Sequence, residues 1–94
     1  MAYLAVIKST IPDNTVSYVP NASTSSAYAT CLSNGDVLST SSTQLGSGVT
    51  VTLIIWRDKI AHDNFFSATA ADVAARDAHN TANGITLTKT TYVI

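Results

Sequence analysis

The sequence predicts an α+β domain with elements in the order β-α-β-β-α-β, and three observations carry that expectation. Val49, Val51, Leu53 and Ile55 alternate with Thr50, Thr52, Ile54 and Trp56, a period of two, rich in β-branched residues, that marks a strand. After Trp56 the period changes. Ala71, Ala74, Ala75, Ala78 and Ala82 recur at helical spacing, which predicts an alanine face laid on a sheet, and Asn83-Gly84 supplies a left-handed stop. A second Asn-Gly pair, Asn34-Gly35, sits between two further stretches of strand character and closes an earlier helix in the same way.

Taken in order, Ala2–Thr10 is the first strand. Tyr3, Ala5 and Ile7 point one way and Leu4, Val6 and Lys8 the other, so its first half is apolar on both sides and expects cover on both. Pro12-Asp13-Asn14 ends it in a turn. Residues 15–19 offer a short extended piece, halted at Pro20. Ser23–Asn34 reads as a short helix with Ser or Thr as its cap; a Ser/Thr-rich loop is the alternative, since these side chains compete for backbone hydrogen bonds. Asp36–Gln44 is a weakly hydrophobic strand for an edge, and Leu45-Gly46-Ser47-Gly48 is a hairpin connection into the strong strand 49–56.

The second helical region reads as two pieces, Arg57–Phe66 and a stretch from Thr69 to about Ala82. Thr69 with Asp72 three residues on resembles a capping box. Phe65, Phe66 and Val73 supply the volume that the alanines lack. Ile85–Ile94 is the last strand, alternating through Ile85, Leu87, Lys89, Thr91 and Val93. The order is that of a ferredoxin-like arrangement, a four-stranded antiparallel sheet with helices on one face. The opposite face needs a partner or a cavity. Taken as the threonine-rich parity of strands 49–56 and 85–94, it comprises Thr50, Thr52, Ile54, Trp56, Tyr92 and Ile94, the candidate interface residues.

Composition bounds the function. The chain has 94 residues, enough for one domain spanning 1–94 with a modest core. Charged residues make up 12%, about half of the ~25% usual in a soluble domain, and every acidic residue is Asp. A surface so poor in charge is weakly protected against association, which predicts that another chain covers much of it. Net charge is −1, and Lys8, Arg57, Lys59, Arg76 and Lys89 are scattered. No basic patch for nucleic acid forms. Cys31 is alone, so no internal disulfide is available, and no basic segment followed by a long apolar run opens the chain. The longest apolar run, Leu53–Trp56, is far short of a membrane span. The expectation is a virion or cytoplasmic protein, not one secreted by a signal peptide. Asn21-Ala22-Ser23 matches a glycosylation sequon but reads as loop.

A strand ending in Trp56, then WRDKIAHDNFFS and an alanine-rich helix, resembles the dimeric α+β barrel superfamily, whose best-known members are antibiotic-biosynthesis monooxygenase-like domains. Trp56, Lys59, Ala61, His62 and Phe65 fall on that family's pattern, with Asp58 where Ser or Thr is common. The resemblance covers residues 49–94 and implies a homodimeric enzyme or a binder of small aromatic ligands. The haem-degrading branch carries an Asn in its first strand, a second Trp near Phe65 and a His near Ala75; here the strand reads LAVIK and the nearest histidine, His79, comes one turn later. For the cofactor-free branch, the resemblance offers Trp56, Tyr3, Tyr92 and His62 as cavity residues.

Residue by residue, the chemistry is thin. Trp56 reads first as a core or interface anchor and only second as a stacking platform. His62, beside Asp58 and Asp63, reads as a solvated or capping histidine, with general base as the catalytic alternative. His79, Arg76, Asp72 and Asp77 read as an exposed helical face of i, i+3/i+4 pairs. Their spacing with His62 fits no metal signature, no motif calls for a cofactor, and Cys31 lacks a neighbour to activate it.

Two function classes follow. Low charge, absent glutamate and abundant Ser and Thr resemble the small virion proteins of tailed bacteriophages, which implies a non-enzymatic assembly protein that self-associates or packs on a larger structure. The alternative is the monooxygenase-like dimer, with Trp56 and His62 as its catalytic candidates.

Overall fold

The first strand of the chain becomes a central strand of the sheet. In the computed structural model, which describes all of residues 1–94, β1 (Tyr3–Thr10) lies between β3 (Val49–Trp56) and β4 (Thr86–Val93), and β2 (Val37–Gly46) pairs with the outer side of β3. All pairings are antiparallel. The helices α1 (Ala22–Asn34), α2 (Lys59–Ala68) and α3 (Ala70–Asn83) complete the order β1-α1-β2-β3-α2-α3-β4. This is the ferredoxin-like arrangement expected, with α2 and α3 together in the place of its second helix.

Register decides which residues share a face, because directly opposed residues point the same way. Tyr3 pairs with Trp56 and Val93, and Ala5 with Ile54 and Thr91. Tyr3, Ala5, Ile54 and Trp56 form the buried core with Val37 and, from the helices, Cys31 and Ala61. That parity is the helix-covered face. The other parity, Leu4, Val6, Val51, Leu53 and Ile55 with Thr88, Thr90 and Tyr92, faces away from the helices.

Local chemistry sets each boundary. The side chain of Asn21, not of a Ser or Thr, caps α1 by accepting from the Thr24 amide at 2.8 Å. Asp58 caps α2 through the Ala61 amide at 2.8 Å. Gly35 and Gly84 end α1 and α3 in left-handed conformation, as the two Asn-Gly pairs predict. The break between α2 and α3 falls at Thr69, as expected, but the capping box does not form. The Thr69 hydroxyl donates back to the Phe65 carbonyl at 2.9 Å, and Asp72 is engaged elsewhere. At the hairpin turn Gly48 has φ 73°, and a Cβ there would stand 2.3 Å from the Ile11 carbonyl oxygen; only glycine fits.

Two further expectations change. Residues 15–19 form no strand; 11–21 is an irregular strap running across α3. More consequentially, α3 is turned over. Ala71, Ala74, Ala75, Ala78 and Ala82 are exposed, while Asp72 and Asn80 are buried and Val73, Arg76 and His79 half-buried. Alanine favours helix wherever it points and loses little by facing water. The strap then supplies partners for the polar residues turned inward.

Candidate functional site

Two features stand out, one on each face of the sheet. The uncovered face carries an aliphatic strip along its two central strands: Leu4 and Val6 on β1, and Val49, Val51, Leu53 and Ile55 on β3. The flanking strands present Ser39, Ser41 and Thr43 on one side and Thr86, Thr88 and Thr90 on the other. Lys8 is the one formally charged residue on this face, and Leu53 is 41% exposed. Tyr92 and Ile94 extend the apolar surface at the end of β4, both exposed.

The covered face is aromatic instead. Trp56, 0% exposed, is the largest fully buried side chain. Tyr28 meets it edge-on at 6.3 Å, His62 at 5.5 Å, and Phe65 and Phe66 lie tilted at 5.4 and 6.1 Å. Next to this cluster, between the sheet, the three helices and the strap, a cavity of about 360 Å³ remains. Its inner wall is Ile7, Ile54, Trp56, Tyr28, Phe65 and Phe66, and Tyr18, Thr24, Asp72 and Arg76 also line it. The indole Nε1 of Trp56 is buried without a hydrogen-bond partner.

A polar latch fastens the strap to α3. The Tyr18 hydroxyl donates to Asp72 Oδ1, the Asn21 amide donates to Oδ2 at 3.2 Å, and His79 Nε2 contacts the Val16 carbonyl at 2.8 Å. Hydrogen bonds, first from Tyr18 and then from Thr24, hold the Asp72 carboxyl below its ordinary range, and the same contact raises the Tyr18 phenol. Asp72 is therefore 7% exposed and paired across the fold, where the sequence placed it on a solvated helical face. No sequence signal joins Tyr18 to Asp72, 54 positions apart.

His62 is likewise buried, not solvated, and the cap is Asp58. Burial lowers the His62 pKa, opposed by its contact with Asp63. Nδ1 lies 2.8 Å from Asp63 Oδ1; the carboxylate only accepts, so Nδ1 carries the proton and Nε2, which has no partner, is a bare lone pair. Trp56 lines the cavity while His62 does not, so the two catalytic candidates are ring neighbours without sharing that space. Burial also raises the Cys31 thiol, leaving it protonated and inert. No group of three or more His, Cys or Asp side chains is placed to hold a metal ion, and no helix is long and apolar enough to cross a membrane.

The candidate interface residues divide between the faces. Tyr92 and Ile94 lie on the uncovered side. Thr50, Thr52, Ile54 and Trp56 lie on the covered side, with Ile54 and Trp56 buried. The parity of β4 was read correctly and that of β3 inverted: Trp56, the bulkiest side chain, goes under the helices and carries the threonines of its own parity with it. The β3 residues on the uncovered side are instead Val49, Val51, Leu53 and Ile55. Their signal was the same alternation, assigned to the other face. No family model, curated protein or solved structure matches this chain.

Proposed function

We propose that this chain is a non-enzymatic assembly subunit whose uncovered sheet face packs against a second copy of itself. The observation that carries the reading is the aliphatic strip of β1 and β3 framed by the hydroxyl-bearing residues of β2 and β4. An apolar centre with a polar rim is the anatomy of a protein interface, and apolar sheet faces pack about 10 Å apart with their side chains interdigitated. Four strands about 4.8 Å apart and eight residues long at about 3.3 Å per residue cover about 500 Å². Two such faces together reach about 1,000 Å², near the lower bound of a specific interface. The same patch serves both partners, as a two-fold contact requires.

The low charge content supports the same reading, since few charges must be desolvated when copies meet. The compositional resemblance to small virion proteins of tailed bacteriophages supplies the proposed setting, a repeating particle in which this subunit is one accessory component.

Light scattering across a concentration series tests the proposal. The expected result is a dimer or larger species that dissociates, if at all, only on dilution. A monomer at every concentration contradicts it.

A further inference from the structure

We infer that β2 is a second contact surface: its free edge pairs antiparallel with β2 of another copy, joining two four-stranded sheets into one of eight. The edge is a different surface from the uncovered face. The two contacts combine, and for that combination the inference rests on the proposed face-to-face packing: two joined sheets packed through their uncovered faces make a tetramer.

Both outer strands, β2 and β4, present an unpaired row of backbone N–H and C=O groups, a template for a further strand. β2 is the one left open to it. It runs ten residues against eight for the other strands. Leu38–Gly46 are all exposed, and no turn or loop backbone hydrogen bond reaches them. The strand holds no charged residue and no proline, two of the devices that block an edge. β4 has such a device. Lys89 stands at its middle, turned over the Phe66 ring at 3.7 Å. Two β4 edges paired about a two-fold axis would bring these lysines together, a destabilising arrangement of like charges.

Bulges are a third blocking device, and the register between β2 and β3 slips at Leu38 and at Leu45. These slips fall at the ends, so Ser39–Gln44 remain a regular run. They also leave the two leucines, 57% and 63% exposed, at either end of it. Antiparallel pairing about a two-fold axis near Ser41 and Ser42 sets Leu38 of one copy close to Leu45 of the other. Hydroxyl-bearing residues then fill the middle of the seam and leucines close both ends. An edge complementary to itself takes a second copy as its partner.

Area gives the joining a purpose. One pair of uncovered faces reaches about 1,000 Å², just short of the roughly 1,200–2,000 Å² typical of stable contacts. Joining at β2 doubles each face, so two eight-stranded sheets bury about 2,000 Å². The edge two-fold runs normal to the sheet and the face two-fold parallel to it, so the assembly closes at four copies.

The test combines light scattering with amide exchange on the full chain at one high concentration. The expected result is a tetramer with protection at consecutive residues through Ser39–Gln44; an edge paired on one side only protects alternate residues. Thr40→Lys combined with Ser42→Lys puts like charges across the seam on the helix side of the sheet, away from the face contact. This variant should show half the mass and return β2 to alternate protection, a pattern that also reports that it is folded. Alternate protection in the unaltered chain, or an unchanged mass in the lysine variant, overturns the inference. A dimer with alternate protection is the form of that failure that leaves the face contact standing. A dimer with consecutive protection, kept in Leu53→Lys and lost in the lysine variant, upholds the edge contact and overturns the face contact instead.

Discussion

The two faces of this sheet share strands but are built to different rules. The covered face is aromatic and irregular: one tryptophan organises its core, a void remains beside it, and polar side chains are latched by a strap. The uncovered face is aliphatic and regular, with β-branched and leucine side chains in register along two adjacent strands. The covered face holds the monomer together. The uncovered face contributes less, because its aliphatic side chains are only half-buried, with Leu53 exposed, until something covers them. The difference teaches that alternation reveals two faces without saying which is inside. The bulkiest residue decides, and here it stands on the parity that otherwise carries threonine.

The contrast can be broken most forcefully by truncation on each face. Trp56→Ala should cost about 3–5 kcal/mol, a large fraction of the 5–15 kcal/mol available to a domain. Leu53→Ala, measured by urea denaturation at concentrations low enough to separate copies, should change stability by no more than about 0.5 kcal/mol. Equal losses would mean that the two faces are not distinct in the way described.

A smaller effect is expected where the strap leaves β1. Gly48→Ala forces a Cβ against the Ile11 carbonyl in a left-handed backbone and should cost about 1–3 kcal/mol in the same assay. A neutral result would show that the hairpin turn is free to move away from Ile11.

Acidity sharpens the comparison further, since the titrating groups with packing roles lie on the covered side. His62 has its pKa lowered by burial from 6.5, so the unfolded chain takes up the proton first. Its contribution is present above about pH 6.5 and is lost as pH falls below that value. Thermal melts should show the decline, and His62→Gln should flatten it between pH 6.5 and 5. The Asp72 carboxyl, lowered from 3.8 chiefly by the Tyr18 hydrogen bond, contributes stability above that value and loses it as pH falls further. Tyr18, raised from 10.0 by the same bond, contributes below pH 10 and loses it as pH rises through its folded pKa. Tyr18→Phe should weaken the fold slightly between those limits and should increase amide exchange in residues 15–21 without disturbing β1. Exchange unchanged in the strap would show that the latch holds nothing.

Much of the fold was legible because the strands carry a period of two and both Asn-Gly pairs end helices. The face of α3 was not legible. Its alanines match a helical face but have too little side chain to compel burial, and the residues that do turn inward find partners in a loop distant in sequence. Asp72 illustrates this: a capping residue by spacing, it is bound instead to Tyr18 and Asn21. His62 was misplaced for a related reason. Its neighbours Asp58 and Asp63 imply solvent, whereas one side of α2 also carries Ala61, Phe65 and Phe66 into the core cluster. The face of Tyr92 on β4, and of Ile94 just beyond it, was legible because that strand alternates without a competing bulky residue.

The central claim is that the β3 side chains facing away from the helices, and not their neighbours, make the contact between copies. Adjacent lysine substitutions separate these most directly. Light scattering on Leu53→Lys and Thr52→Lys, each beside the unaltered protein, compares two charges one residue apart on opposite faces. The account predicts that Leu53→Lys weakens association by about two orders of magnitude, the effect of an unpaired charge worth about 3 kcal/mol in an apolar contact, while Thr52→Lys associates normally. Association lost in Thr52→Lys and kept in Leu53→Lys would contradict it.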